Sequence, residues 1–480
     1  MNLTSEIETI VSKQNYLEKG KLWGRYYLGE YYFVINTNKT KKELGLIGVT
    51  EIPRETQIQL QYDNFPAIFH EYIHYVHEVS TLIGSLSLFL EVLKRSLFSN
   101  FFDNKLKSSE FLGFDFKDKI KVEKLSKILV TESFISGDNN SRLEGCIFIQ
   151  PLKINKAPTD VYFPYLDGFT TCNLNQIEVA YEFLFNGEKS IDKLYFGKYF
   201  IYEGLAYELD RLVDKQVFNR KNIDDNFKGT EYTILRSISR FLFNEIDAES
   251  YLSIASLSLS YINSGETFVH MIENLKQCYE NEIPQSEGIN HLVEETRKLL
   301  LSKIDVFEQS QIEIKNVFKG RERLHKSFSF LTEQYTKSYL YRSKFPIFEV
   351  EKVLSGEFRK IVDIIPLCDF IYEFTDANEF NRDFIGTTLD HDASDSLKAL
   401  LSYSHYFRSH SNFQSTKSIE SIKTTSCPFY TCCQLQLRIS NNEVCKYKPW
   451  RIFEISANLD NQFCWYGQGV LEFKGPNKLI

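Results

Sequence analysis

Residues 64–78 read Asn64-Phe65-Pro66-Ala67-Ile68-Phe69-His70-Glu71-Tyr72-Ile73-His74-Tyr75-Val76-His77-Glu78, and within them His70-Glu71-Tyr72-Ile73-His74 is an HExxH pattern. Two imidazoles four residues apart stand one above the other on a helix face, so both can reach a single metal ion. Glu71 lies about 100° round the same helix, where its carboxylate reaches a water on that metal without replacing a histidine. With nine His in 480 residues, chance supplies the pattern about 0.01 times in a chain of this length. Asp63 or Asn64 can cap such a helix, Pro66 is tolerated in its first turn, and Gly84 follows its expected end near Leu82 or Ile83. Ile68, Tyr72, Val76, Val79 and Ile83 clothe the helix in apolar residues, so protein should surround it nearly completely.

Working outward toward the N-terminus, residues 21–36 are rich in aromatic and β-branched residues and read as one or two strands, with further strand candidates at 44–49 and 57–62. Residues 3–20 suit a polar helix. On the other side, 86–101 reads as helix and 176–184 as another, while the stretch of about 100–190 reads as an insertion that shapes a substrate cleft. The second informative stretch is Gly197-Lys-Tyr-Phe-Ile-Tyr-Glu203-Gly204-Leu-Ala206-Tyr207-Glu208-Leu-Asp210-Arg-Leu-Val. Ile201, Leu205, Leu209 and Leu212 make a helical apolar stripe, and Glu203, Tyr207 and Asp210 fall on the opposite face. Small residues at 204 and 206 would let this helix approach the first, as a third ligand requires.

Helical spacing continues through 230–243, 248–260, 266–279 and 291–302, and the stretch to 410 reads as mixed helix interrupted at Pro346 and Gly356. Residues 411–426 are rich in Ser, Thr and Lys and read as a linker; after Cys427, short strands are expected at 434–439, 450–455 and 470–473. The expected fold is α+β and predominantly α-helical. A core over 1–300 carries a small sheet and the insertion, 301–410 forms a helical region, and 411–480 a Cys-containing, β-rich C-terminal region.

Composition narrows the function classes. The formal charge of -8, without any run of five Lys or Arg, is unlike a nucleic-acid-binding surface. No apolar run of 18 residues suggests a membrane span, and the start lacks a basic segment followed by an apolar one. Nine Cys, an odd number and scattered, fit reduced thiols, so a cytoplasmic location is expected.

The two stretches together resemble the zincin class of zinc metallopeptidases. His70-Glu71-Tyr72-Ile73-His74 matches the first signature, and Glu203-Gly204-Leu205-Ala206 is similar to the Glu-Gly-x-Ala segment of the gluzincin branch, though 129 residues separate His74 from Glu203. The resemblance implies a zincin-like core in which His70, His74 and Glu203 bind Zn²⁺, Glu71 acts as general base, and the substrate is a protein or peptide. Tyr207, Tyr251, Tyr261 and His270 are candidate donors to an oxyanion, and Glu78 and Asp210 candidates to orient a ligand imidazole. Glu245, in Asn244-Glu245-Ile246-Asp247-Ala248-Glu249, resembles the thermolysin-like form and competes with Glu203 as third ligand. His77 would put three ligands over about 10 Å of helix axis, so a packing or substrate-side role is expected of it.

Cys427, Cys432, Cys433, Cys445 and Cys464 lack the tight CxxC knuckle and read as buried thiols rather than a second zinc site. His391, His405 and His410 read as surface or core histidines, and Lys319 to Lys326 as a solvated helix face. The alternative function is a catalytically inactive, metal-binding regulatory or interaction protein of the same fold. The C-terminal region is the expected seat of any regulatory partner.

Overall fold

Phe65–Ser80 forms the expected helix, with Pro66 in its first turn. From Ala67 to Ser80 every residue except His70 is buried, so the helix is enclosed by protein and opens only at the first histidine of the pattern. This computed structural model describes residues 24–26, 32–37, 39–40, 42–46, 53–99, 119–137, 147–165, 168–185, 188–218, 230–366, 369–374, 381–385, 391–410, 427–429, 443–447, 449, 465–467 and 469. The expected helix at 3–20 and the strands at 434–439, 450–455 and 470–473 lie outside these residues.

In chain order, α1 is Arg54–Asp63, α2 is Phe65–Ser80 and α3 is Leu82–Ser99. Between α2 and α3 the chain turns by 87°. Thr81, in extended conformation, joins the two: its hydroxyl donates to the His77 carbonyl and accepts from the Gly84 N–H. Gly84 is required here, because a Cβ would lie 2.0 Å from the Glu78 carbonyl oxygen. That turn ends α2 at Ser80, short of the expected Leu82. Among the described residues no single helix is long and apolar enough to cross a membrane.

Strands β1 (Gly24–Tyr26) and β2 (Tyr32–Asn36) confirm the expectation for 21–36 and pair antiparallel. Their sheet is completed from far along the chain: β6 (Asp369–Phe374) runs parallel to β2, and β7 (Asn381–Ile385) antiparallel to β6. The stretch 301–410, expected to be helical, therefore contributes two strands. Both β1 and β2 lie against α2.

A second, antiparallel sheet occupies the expected insertion: β3 (Ile147–Tyr165), β4 (Gly168–Phe185) and β5 (Glu188–Phe196). The helix expected at 176–184 is thus strand. Ile177, Val179 and Tyr181 alternate inward while Glu178 and Glu182 face outward, the period of a half-buried sheet. The opposite correction applies at 57–62, expected as strand and found in α1. There only Leu60 is buried, with Ile58 and Tyr62 exposed. Residues 42–45 form a turn.

Helix α4 (Lys119–Ser136) lies on β3, while α5 (Lys198–Phe218) lies along α2 and α6 (Thr230–Leu242) along α5. Then follow α7 (Ala248–Ser258), α8 (Ser264–Glu280), α9 (Gln285–Ser302) and α10 (Ile304–Val317). Helix α11 (Glu322–Arg342) packs on α2 and on α14 (His391–His410), with α12 (Phe348–Leu354) and α13 (Arg359–Ile364) between them in sequence. One apolar core includes Val34, Tyr335, Tyr403 and Tyr466, so residues of all three expected regions share it. The result is α+β and mainly helical.

Candidate metal centre

Helices α2 and α5 bring His70, His74 and Glu203 together. His70 Nε2 is 3.0 Å from His74 Nε2 and 3.3 Å from Glu203 Oε2, and His74 Nε2 is 3.6 Å from the same oxygen. Two ligand atoms at 2.0–2.1 Å from a tetrahedral ion stand about 3.3–3.4 Å apart, so these three edges match one face of such a site. Of the candidate groupings of His, Cys, Asp and Glu, these three residues form the one cluster found among the described residues with ligand atoms close enough for a metal ion. The donor set of two imidazoles and a carboxylate leaves a fourth position for water, the pattern of catalytic rather than structural sites.

Asp210 fixes the first imidazole. It lies two helical turns beyond Glu203 on the same face of α5, and its Oδ2 accepts from His70 Nδ1 at 2.8 Å. In that tautomer Nε2 keeps its lone pair for a metal. Burial disfavours a charged His70, but Asp210 and Glu203 outweigh it and hold the imidazole well above its ordinary range in the metal-free chain. Burial likewise pushes Glu203 up, and the pull of His74 and His70 reverses this, keeping it ionised. The three candidate ligand atoms thus converge on one point.

Glu71 is 7 % exposed beside this cluster. Burial pushes its carboxyl up, opposed by His74, His70 and the Tyr26 N–H, which donates to it from β1. A raised carboxyl next to the ligands suits a group that takes up and returns a proton.

The remaining sequence candidates separate clearly. Glu78, one helical turn beyond His74, accepts from the Tyr335 hydroxyl, and His74 Nδ1 finds no hydrogen-bond partner among the described residues, so Glu78 does not orient that imidazole. The Tyr207 ring lies tilted against that of Tyr232, their centroids 5.1 Å apart, under the Arg211 guanidinium. Tyr251 pairs with Arg236 and Glu208, Tyr261 lies 3.2 Å from the Thr296 hydroxyl, and exposed His270 lies 3.2 Å from the Asn274 amide. The partners of these three all lie outside the cluster of His70, His74 and Glu203. Glu245 is exposed and bonded by Tyr279, which removes it as a third ligand. His77 is fully buried one turn beyond His74 on the same side of α2, 3.3 Å from Glu349, in a packing role. Gly204 does permit a close helix approach, but to Leu235 of α6, whose Cβ would be 2.5 Å from an added methyl, rather than to α2.

Two tyrosines that sequence reasoning did not single out lie at the site. Tyr232, at the start of α6, has its ring 5.9 Å from that of His70. Burial and then the charges of Glu203 and Glu231 push its phenol well up, so it remains a hydrogen-bond donor; Tyr199 behaves the same way for the same causes. Of the tail cysteines, Cys427 and Cys445 are described, and the Cys427 N–H donates to the Cys445 carbonyl at 2.8 Å. Cys432, Cys433 and Cys464 lie outside the described residues, as do the side chains of His391 and His410. His405 is a core histidine, 3.0 Å from the Tyr466 hydroxyl.

No known protein family, curated protein or solved structure matches this chain.

Proposed function

We propose that the chain is a zinc-dependent peptidase, acting on a protein or peptide through the centre formed by His70, Glu71, His74 and Glu203. One observation carries this reading. Three ligand atoms of the right chemistry sit 3.0–3.6 Å apart, with a buried, raised carboxyl beside them on the same helix. When bound, zinc supplies a Lewis acid and a water whose pKa falls to about 7. Glu71 accepts a proton from the attacking water and returns it to the leaving amine. Tyr232, whose ring lies 5.9 Å from that of His70, is the phenol assigned to donate to the developing oxyanion.

The position of β1 agrees with a peptide substrate. It is an edge of its sheet among the described residues, and the Tyr26 N–H turns away from β2 toward Glu71. Backbone groups of Gly24, two residues earlier, turn the same way. An extended peptide can pair with such an edge and present a carbonyl at the metal.

The experiment is hydrolysis of a peptide library by zinc-loaded wild type and Glu71→Gln. Wild-type cleavage, with nearly all of it lost in a variant that still binds zinc, supports the reading. A wild type that binds zinc and cleaves nothing supports the inactive metal-binding alternative instead, and equal cleavage by both forms removes Glu71 as the base.

A further inference from the structure

The C-terminal end of the HExxH helix is held by charge. His77, Arg342 and Glu349 are each 0 % exposed. Arg342 meets Glu349 at 3.0 Å, donates from Nε to the Ser80 hydroxyl at 2.8 Å, and donates to the Pro346 carbonyl at 2.7 Å. Glu349 also accepts from the Ser256 hydroxyl at 2.6 Å and lies 3.3 Å from His77 Nε2. The cluster therefore ties α2 (His77, Ser80) to α7 (Ser256), α11 (Arg342) and α12 (Glu349).

A buried ion pair is a weak source of stability, because desolvation offsets most of its attraction, and apolar residues of similar volume are often as good or better. What such a pair supplies is register: only one alignment of the helices satisfies all its partners. A second polar contact shares the alignment. Tyr335, two turns before Arg342 on α11, donates to Glu78, two residues before Ser80 on α2. Tyr202 of α5 links the tether to the ligands, since its ring centroid lies 5.5 Å from that of His77 and 6.0 Å from that of His74. It is the residue just before Glu203, the ligand that α5 contributes.

We infer that Arg342 and Glu349, with Tyr335, are positioning residues for the metal centre: they set the height and rotation of α2 so that His70 and His74 face Glu203. The inference rests on the metal-site reading above and extends it to residues on two helices that supply no ligand.

The test is zinc affinity by chelator competition and the visible absorption of the Co²⁺ form, on full-length protein. The main variant is the paired replacement Arg342→Met with Glu349→Leu, which removes both charges and keeps the volume. It should fold and melt near wild type, yet bind zinc about 10- to 100-fold more weakly and show shifted Co²⁺ bands. A folded paired variant with wild-type zinc affinity and an unchanged Co²⁺ spectrum would overturn the inference, because a purely structural cluster would move neither. Should the paired variant fail to fold, Tyr335→Phe decides, since it deletes one hydroxyl: weaker zinc binding at an unchanged melting temperature supports the tether, and unchanged binding overturns it. Wild type that takes up no metal would overturn the metal-site reading itself, an outcome separate from these.

Discussion

Replacing Asp210 by Ala tests how the ligand set is built. The carboxylate, 13 % exposed, holds the His70 Nδ1–H at 2.8 Å and so selects the tautomer whose Nε2 is free to bind metal. Without it the ring can rotate, and the tautomer protonated at Nε2, which cannot ligate, becomes accessible. Outer partners of ligand histidines are worth about 10- to 100-fold in metal affinity, or roughly 1.4–2.7 kcal/mol. Asp210→Asn keeps an acceptor oxygen but not the charge, so its loss should be smaller, under about tenfold. The assay is competition with a chromophoric chelator at neutral pH, with circular dichroism to confirm folding. A folded Asp210→Ala protein that binds zinc as tightly as wild type would refute the reasoning.

Tyr232→Phe should lower kcat about 10²-fold and leave zinc affinity unchanged, as expected for a donor that acts only on developing charge; steady-state kinetics beside chelator competition checks both. Acid stability should depend on Glu349. Burial pushes this carboxyl up, but Arg342 and His77 hold it at about 2 against an unfolded value of 4.5. Its folded value is depressed, so its contribution is present above pH 4.5 and is lost as pH falls toward 2, by about 3 kcal/mol in all. Urea unfolding across that window should show the wild type losing stability more steeply than Glu349→Gln; parallel curves would contradict the assignment.

The cluster of His70, His74 and Glu203 was legible because each part left a local mark. HExxH fixes two imidazoles on one helix face, and Glu203 stands opposite a clear apolar stripe in α5. Asp210 shares that face by helical periodicity alone. Tyr232 left no such mark: it is one polar-edged residue in the strongly amphipathic α6, and its place at the site follows from how α6 lies against α5. The buried charges were equally silent. Arg342 and Glu349 are two among 56 basic and 64 acidic residues, and nothing local distinguishes a buried pair from a solvated one.

Two of the misread segments carry the same alternation with opposite outcomes. Residues 177–183 alternate because a sheet buries Ile177, Val179 and Tyr181 on one side. Residues 57–62 alternate as Gln-Ile-Gln-Leu-Gln-Tyr, yet they form a helix that buries only Leu60 and runs to the start of α2. Period alone does not decide between strand and helix when few of the apolar residues are buried. The partners of β2 were illegible for another reason: β6 is more than 330 residues away, and a parallel pairing across that distance leaves no local trace.

X-ray absorption at the zinc K-edge, on purified zinc-loaded protein, tests the central claim most directly. The account predicts a shell of nitrogen and oxygen at about 2.0–2.1 Å with imidazole scattering from two histidines, lost in His70→Ala. A sulfur shell at about 2.3 Å, unaffected by His70→Ala, would place the metal on cysteines instead and contradict the account.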